Sequence, residues 1–237
     1  MVQFRKPLQR ILTHFLAWFF KLLYTRLAWS YDLVSFTVSL GQWNHWVQSV
    51  IQLAPCEPIL ELGHGTGHLQ TALFKAGFHP FAMDISSHMG HITRGRILKF
   101  MPENHIRSSI SPGLSRARAQ ALPFAANTFK TIFSTFPSPY IVDPDTVREI
   151  QRVLLPHGQA IILLSAWITG KKLPDLIARW LFALTNQTPS SGMDYSVFLA
   201  PFQLPGQRAE LVWLEPAGSR LMLVRITKEL PRTLKTR

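Results

Sequence analysis

The sequence predicts an α/β protein built on parallel strands, and three features of residues 59–86 support this prediction. Residues 59–62 form an apolar run that is typical of a short buried strand. Three glycines at alternate positions follow this run, and the helical pattern after them ends at Gly77. A second short apolar run covers residues 81–86. Strand, helix and strand in this order predict a βαβ unit, in which both strands end at the same edge of the sheet.

The remainder of the chain predicts further strands and helices in the same domain. They are a strand over residues 131–136, a helix over 143–154, a strand over 159–166 and a helix over 172–184. Runs 210–215 and 220–228 flank the turn residues 216–219 and predict a terminal antiparallel hairpin. The chain has 237 residues, which is long enough for one such domain over residues 55–237 and a helical extension over residues 1–54.

The first 30 residues predict an amphipathic helix with a basic polar stripe. They contain five Lys and Arg side chains, and no acidic residue precedes Asp32. The longest unbroken apolar run, residues 15–20, is far below the ~20 residues of a bilayer span and too short for the core of a signal peptide. Basic charge beside bulky aromatic side chains is typical of a helix that lies in a membrane interface. A helix packed on the domain or on a second subunit is the alternative.

The composition is apolar and strongly basic, with 47% hydrophobic residues, 25 Lys and Arg, 13 Asp and Glu, and a net charge of +12. The hydrophobic content argues against a disordered protein. The charge favours an acidic partner, either nucleic acid or an anionic membrane surface. Seven basic residues, counting His105, fall within residues 94–118, where they either contact phosphates or form a solvated face. The lone Cys56 excludes an intrachain disulfide and suits a reducing compartment, so we expect a cytoplasmic protein with a peripheral membrane contact.

The glycine-rich turn after the first strand predicts a cofactor loop. Its glycines, Gly63, Gly65 and Gly67, allow positive φ angles and let a ligand approach the main chain. The N-terminus of the following helix offers unpaired N–H groups to a polar or anionic ligand. The dinucleotide pattern G-x-G-x-x-G requires a glycine where the chain has His68. Asp84, at the end of the second strand, can accept hydrogen bonds from both hydroxyls of a ribose, and a surface turn aspartate is the alternative.

The acidic-x-Gly-x-Gly-x-Gly pattern over residues 61–67 resembles motif I of the class I S-adenosylmethionine (SAM)-dependent methyltransferases. Residues 119–124 and 127–129 resemble the segment after the third strand in the ubiquinone/menaquinone-biosynthesis methyltransferases, also called type 11. Residues 150–158 resemble the helix-to-strand turn of the same family. The resemblance implies a Rossmann-like α/β fold with a mostly parallel seven-stranded sheet, helices on both faces and an antiparallel hairpin at the C-terminus.

The resemblance also implies SAM as the cofactor. The implied binding residues are Glu61, Gly63, His64, Gly65, Gly67, Asp84, Ile85, Ala119, Gln120 and Ser134. In the family an aspartate at the position of Arg118 binds the adenine amino group, and Lys130 stands where the family has a second aspartate. Arginine only donates hydrogen bonds, so this adenine contact must come from the main chain or from elsewhere.

The expected chemistry does not require a particular catalytic residue. Methyl transfer from a sulfonium is an in-line displacement with an activated leaving group, so positioning supplies much of the rate. His64 and His68 lie in or beside the loop, and we interpret a histidine there either as a general base or as a satisfied polar side chain. A zinc site needs more ligands at suitable spacing, so we expect no metal. Tyr140, after the fourth strand, lies in the region of substrate contact.

Residues 29–53 extend the apolar helical pattern. Tyr31, within this range, is a candidate lid over the cofactor. The alternative is that Ser30 or Asp32 caps a helix here. Together with the basic N-terminal segment, the resemblance predicts methylation of a small, lipophilic molecule at or near the membrane surface. An RNA methyltransferase is the alternative that the net charge favours. A catalytically inactive SAM-fold protein that acts as a binding or assembly factor is a third interpretation, which Arg118 and Lys130 favour.

Overall fold

The computed structural model describes residues 39–100, 113–170 and 194–230, which form one seven-stranded sheet. Its strands are β1 (Ile59–Leu62), β2 (Phe81–Asp84), β3 (Gly113–Arg116), β4 (Phe129–Thr135), β5 (Leu154–Ile168), β6 (Gln207–Leu214) and β7 (Ser219–Lys228). Their order across the sheet is β3-β2-β1-β4-β5-β7-β6. Strands β1 to β5 are parallel, and β7 runs antiparallel to both β5 and β6. The predicted mostly parallel sheet with a C-terminal hairpin is confirmed.

Four α-helices within the described ranges flank this sheet. They are α1 (Trp43–Ser49), α2 (His68–Lys75), α3 (Ser87–Leu98) and α4 (Pro144–Val153). Ser86 caps α3 by accepting a hydrogen bond from the N–H of Met89 at 3.3 Å, and Asp143 caps α4 by accepting one from the N–H of Asp145 at 2.9 Å. Short 3₁₀ segments cover Val50–Leu53, Pro139–Val142 and Tyr195–Phe202. Among the helices of the described residues, none combines the length and apolarity of a membrane span.

Side chains of the central strands alternate between two buried faces, because successive residues of a strand point to opposite sides. Ile59 and Phe133 belong to a cluster that also contains residues of α1 and α2. Leu60 and Ile132 belong to the opposite cluster, which includes Ile150 of α4. Helices therefore cover both faces of the sheet, as the sequence predicts.

The observed bounds differ most from the predicted ones at β5 and at α1. Strand β5 begins earlier than residue 159, because its first residue pairs with Phe129 before a register shift in the β4–β5 ladder. The helical pattern predicted over residues 29–53 is interrupted in its described part, since Leu40 has a positive φ of 50° and α1 begins only at Trp43. The remaining predictions lie outside the described residues: the amphipathic helix of residues 1–28, the lid residue Tyr31 and the helix over 172–184.

Helix α1 is attached to the C-terminal hairpin by a buried hydrogen-bond cluster around Ser219. The indole Nε1 of Trp46 donates to Ser219 Oγ at 2.7 Å, and Ser219 Oγ donates to Gln42 Oε1. Trp46 and Ser219 are both buried. Helix α1 thus packs on the sheet, although it falls within the predicted extension over residues 1–54, and the boundary of that extension stays a prediction.

Candidate cofactor site

A cavity of about 840 Å³ lies at the carboxyl ends of β1, β2 and β4, beside the segment that follows β3. Parallel strands bring their following loops together at this edge, and the volume is in the range of small-molecule sites. Eight of the ten predicted binding residues line the cavity: Glu61, Gly63, His64, Gly65, Asp84, Ile85, Ala119 and Gln120. Gly67 and Ser134 are not among its lining residues. The role of these residues as cofactor contacts stays a prediction.

The three glycines of the loop have two different structural roles, although all have positive φ. A Cβ on Gly63 would lie 2.5 Å from the hydroxyl oxygen of Tyr140, and a Cβ on Gly67 would lie 2.6 Å from Cγ2 of Thr93. Gly63 and Gly67 are therefore required for the close packing of the loop against its neighbours. A Cβ on Gly65 would meet nothing within 4 Å, and Gly65 lines the cavity. Gly65 is therefore the position at which a ligand can approach the main chain.

Asp84 connects the glycine loop to the start of α3. Its Oδ2 accepts a hydrogen bond from the N–H of Gly65 at 3.0 Å, and its Oδ1 accepts one from the N–H of Ser86 at 2.8 Å. A carboxylate has about four acceptor positions, so each oxygen keeps capacity for a further donor. Because Asp84 also lines the cavity, it can hold the loop and receive ligand hydroxyls at the same time.

Glu61 is a buried carboxyl group beneath the loop, with 1% of its surface exposed. Gln70 Nε2 donates to its Oε2 at 2.8 Å. Burial raises the pKa of Glu61 to about 8, the hydrogen bond from Gln70 opposes this rise, and the nearby charge of Asp84 adds to it. Glu61 therefore holds its proton at neutral pH in the protein without ligand.

His64 is buried, and polar contacts at Nδ1 hold its imidazole ring. Its Nδ1 lies 2.9 Å from the carbonyl oxygen of Gly65 and 3.1 Å from Oγ1 of Thr93. Thr93 Oγ1 donates its proton to the same Gly65 carbonyl at 2.9 Å. A lone pair of Thr93 Oγ1 is therefore left to accept a hydrogen bond from Nδ1 of His64. Burial lowers the pKa of His64, and Asp84 and the Gly65 hydrogen bond oppose this shift. The ring is therefore neutral at pH 7, with its proton on Nδ1.

The segment after β3 forms the wall of the cavity beside Asp84. Ala119 is buried, and Gln120 donates from Nε2 to Asp143 Oδ2 at 3.1 Å. Ile85 presents an apolar side chain that is 57% exposed, and the exposed side chain of Arg118 also lines the cavity. The position of Arg118 in this wall is consistent with the sequence resemblance, but its chemistry differs from that of the family aspartate.

Ser134 lies behind Tyr140 rather than at the cavity surface. Its hydroxyl donates to the carbonyl oxygen of Leu62 at 3.0 Å and lies 3.1 Å from the hydroxyl of Tyr140. Tyr140 lines the cavity and also donates to Leu62 at 3.2 Å. Ser134 can therefore act on a ligand only by positioning Tyr140, which the sequence places in the region of substrate contact.

An apolar wall completes the cavity. The residues of this wall are Trp43, Val47, Leu69, Phe136 and Pro137. The rings of Trp43 and Phe136 stack, with centroids 4.3 Å apart and planes inclined by 29°. The place of Phe136 between a strand and a proline is a usable sequence signal, whereas nothing in the sequence pairs it with Trp43.

The described residues do not assemble a metal site. No group of three or more His, Cys, Asp or Glu side chains within residues 39–100, 113–170 and 194–230 is arranged to hold an ion.

Known proteins resemble the chain in sequence and in fold. Residues 59–158 match the family model described as a methyltransferase domain. The chain is 28% identical over 198 residues to the demethylmenaquinone methyltransferase of Streptomyces griseus, covering 80% of this chain and 81% of the relative. It is 30% identical over 153 residues to the ubiquinone/menaquinone biosynthesis C-methyltransferase of Stenotrophomonas maltophilia, covering 62% of this chain and 58% of that relative.

A solved structure shows the same fold. It is phosphoethanolamine N-methyltransferase 2 of Haemonchus contortus, in complex with phosphomonomethylethanolamine and S-adenosylhomocysteine. The match has a TM-score of 0.53 at 13% identity and covers 81% of this chain and 53% of that chain. At this identity the likeness concerns the fold alone. Residues 59–158 thus match a methyltransferase domain, and the fold of the described residues is the class I, Rossmann-like methyltransferase fold.

Proposed function

We propose that the protein transfers the methyl group of SAM to a small, lipophilic acceptor at or near a membrane surface. The observation that carries this proposal is the apolar wall beside the glycine loop, because a stacked Trp43–Phe136 pair favours an apolar ligand. The names of the two relatives refer to demethylmenaquinone and to ubiquinone/menaquinone biosynthesis, which supports a lipophilic acceptor for this chain as well.

The cavity fits SAM by its donor and acceptor groups. Gly65 leaves room for close approach, and Asp84 has acceptor capacity for ribose hydroxyls. Ile85 offers an apolar surface for a purine ring, next to the main chain of Ala119 and Gln120. These groups lie at or just after the carboxyl ends of β1, β2 and β3, so the cofactor extends across three neighbouring strands.

The order of the strands supports one orientation of the cofactor relative to the acceptor. With the purine beside β3 and the ribose at β2, the sulfonium end lies over β1, toward β4. Phe136 directly follows β4, and Trp43 stacks on it. The acceptor is therefore expected between the glycine loop and the Trp43–Phe136 pair.

The residues of the chain contribute to the reaction mainly by positioning the cofactor and the acceptor. SAM supplies a methyl group on a positively charged sulfur, which is an activated leaving group. Asp84 and the glycine loop orient the cofactor, and the apolar wall orients the acceptor, so the two reactants meet in line. The neutral ring of His64 adds no positive charge beside the sulfonium.

The proposed function is tested with tritiated SAM. The protein is incubated with a lipid extract, and separately with total RNA, of the organism that makes it. We expect label in the organic phase of the lipid reaction. Label in RNA instead would support the RNA methyltransferase alternative, and SAM binding without any transfer would support the inactive factor. The comparisons favour neither alternative.

The membrane part of the proposal concerns residues 1–28. We expect these residues to bind anionic bilayers, with each of their five basic side chains adding ~1 kcal/mol near the surface. Salt should weaken this attraction, because exposed charges are screened over ~10 Å at ordinary ionic strength. The measurement is flotation with anionic vesicles of the full-length protein and of a chain lacking residues 1–28. If both float equally, or neither floats, these residues act as a packing helix.

Arg118 provides a further prediction about the cofactor. We expect that its side chain does not bond the adenine amino group, because a guanidinium and an amino group are both donors. The main chain of Ala119 or Gln120 should face the purine instead. A crystal structure with S-adenosylhomocysteine is the measurement, and main-chain atoms far from the ring would contradict the prediction.

A further inference from the structure

The end of the cavity beside β3 is rich in hydrogen-bond donors and poor in acceptors. Arg116 and Arg118 both line this end. The carboxyl groups that line the cavity within the described ranges are Glu61 and Asp84, on β1 and β2. The described side chains that follow β3 therefore bring no carboxylate to a purine placed there.

Two other polar side chains at this end are partly engaged. Arg116 donates from Nε to the carbonyl oxygen of Ile85 at 2.9 Å. Gln120 donates from Nε2 to Asp143, so its amide is held toward α4. The side chain of Arg118 makes no hydrogen bond or ion pair with any residue of the described ranges, and it is exposed. Within the described ranges, Arg118 therefore keeps all of its N–H donors for a ligand, whereas Arg116 keeps those of its terminal nitrogens.

The donor pattern of a guanidinium suits one class of purine better than another. Arginine has five N–H donors and no acceptor. The C6 amino group of adenine is also a donor, whereas a 6-oxopurine presents O6 and N7 as two neighbouring acceptors. Arginine pairs with O6 and N7 of a purine in a bidentate manner, and this is the commonest specific contact of arginine with a base.

We propose that Arg118 sets the base preference of this cavity, so that a cofactor with a 6-oxopurine binds at least as tightly as the adenine form. This inference rests on the proposed function, because it assumes that a purine-bearing cofactor occupies the cavity. An aspartate at this position would accept from the adenine amino group and repel O6. Arg118 lacks this preference for the adenine amino group and favours a purine with an acceptor at C6 instead.

The test compares S-adenosylhomocysteine with S-inosylhomocysteine, which differ in the amino or oxo group at C6 and in the proton that the oxo form carries on N1. Titration calorimetry of the full-length protein with each ligand gives a ratio of affinities. For the wild-type protein we expect S-inosylhomocysteine to bind equally or more tightly. For Arg118→Asp we expect a preference of at least about tenfold for S-adenosylhomocysteine. Arg118→Ala should lie between the two.

A matched control separates the local contact from the change of charge. Arg208→Asp makes the same charge change on β6, at the opposite edge of the sheet from β3, and should leave the ratio at the wild-type value. A tenfold preference of the wild-type protein for the adenine form would overturn the inference, as would an unchanged ratio in Arg118→Asp. If neither ligand binds, the proposed function fails and the inference fails with it.

Discussion

Alanine at position 84 should weaken the binding of S-adenosylhomocysteine by at least about 100-fold. Asp84 is expected to accept hydrogen bonds from the ribose hydroxyls, and hydrogen bonds to a charged group contribute roughly 1.5–3 kcal/mol each. The same carboxylate accepts the N–H groups of Gly65 and Ser86, so its loss also releases the glycine loop from its ligand-binding geometry. Titration calorimetry of the wild-type protein and of Asp84→Ala measures the difference.

Two further variants separate these effects. Asp84→Asn keeps one carbonyl oxygen as an acceptor but loses the charge and the second acceptor, so its affinity should fall between those of the wild-type protein and the alanine variant. Asp145→Ala removes an exposed carboxylate outside the cavity and should bind like the wild-type protein. Equal affinity of Asp84→Ala and the wild-type protein would refute the ribose contact.

Glutamine at position 61 should make the protein more stable than wild type in mildly alkaline solution. Glu61 is buried and accepts a hydrogen bond from Gln70, and a glutamine has nearly the same shape and can accept the same bond. The substitution therefore removes the ionisable group while keeping the packing. Its effect on the free energy of unfolding should depend on pH, because the pKa of Glu61 is raised to about 8.

The direction of this dependence follows from the two states of the chain. The unfolded chain releases the Glu61 proton near its usual pKa of 4.5, whereas the folded protein keeps it up to a pKa of about 8. Between these values the unfolded state binds fewer protons, so rising pH lowers the free energy of unfolding of the wild-type protein. The stabilising contribution is fully present below 4.5 and is lost as the pH rises through about 8.

Urea unfolding at about pH 5 and about pH 8 measures the effect. From the lower to the higher pH, the free energy of unfolding of Glu61→Gln should rise by roughly 3 kcal/mol relative to that of the wild-type protein, since one pKa unit corresponds to about 1.4 kcal/mol. Glu215→Gln serves as the matched control, because Glu215 is 70% exposed, and it should show no such gain. The same pH dependence in wild type and Glu61→Gln would show that Glu61 is ionised throughout.

The sequence predicts the cofactor loop well because its residues are close along the chain. A strand, three glycines and a helix start follow one another within residues 59–75, and each is a local preference of the backbone. Asp84 can be placed as well, since parallel strands end at the same edge of the sheet. The structure brings Gly63, Gly65 and Asp84 together around one cavity, in agreement with this reasoning.

Other parts of the site depend on contacts that no local pattern contains. The resemblance implies a cofactor contact for Ser134. Its side chain lies behind Tyr140, because its hydroxyl donates to the carbonyl oxygen of Leu62 on the neighbouring strand. The stacking of Trp43 on Phe136 requires α1 to be held over the sheet, and Trp46 secures this by bonding Ser219 at the other end of the chain. Such pairings become visible only when the packing of distant segments is known.

The sequence by itself determined which residues can turn with positive φ and which strand ends carry an acid. It also shows that Arg118 stands where the resembled family has an aspartate. Only the tertiary structure decided the environment of each side chain. Glu61 is an ordinary acid in the sequence, and its raised pKa arises from burial beneath the loop. Gly65 faces open space whereas Gly67 is enclosed by Thr93. Desolvation and close packing depend on atoms from many segments at once, so they arise only when the chain is folded.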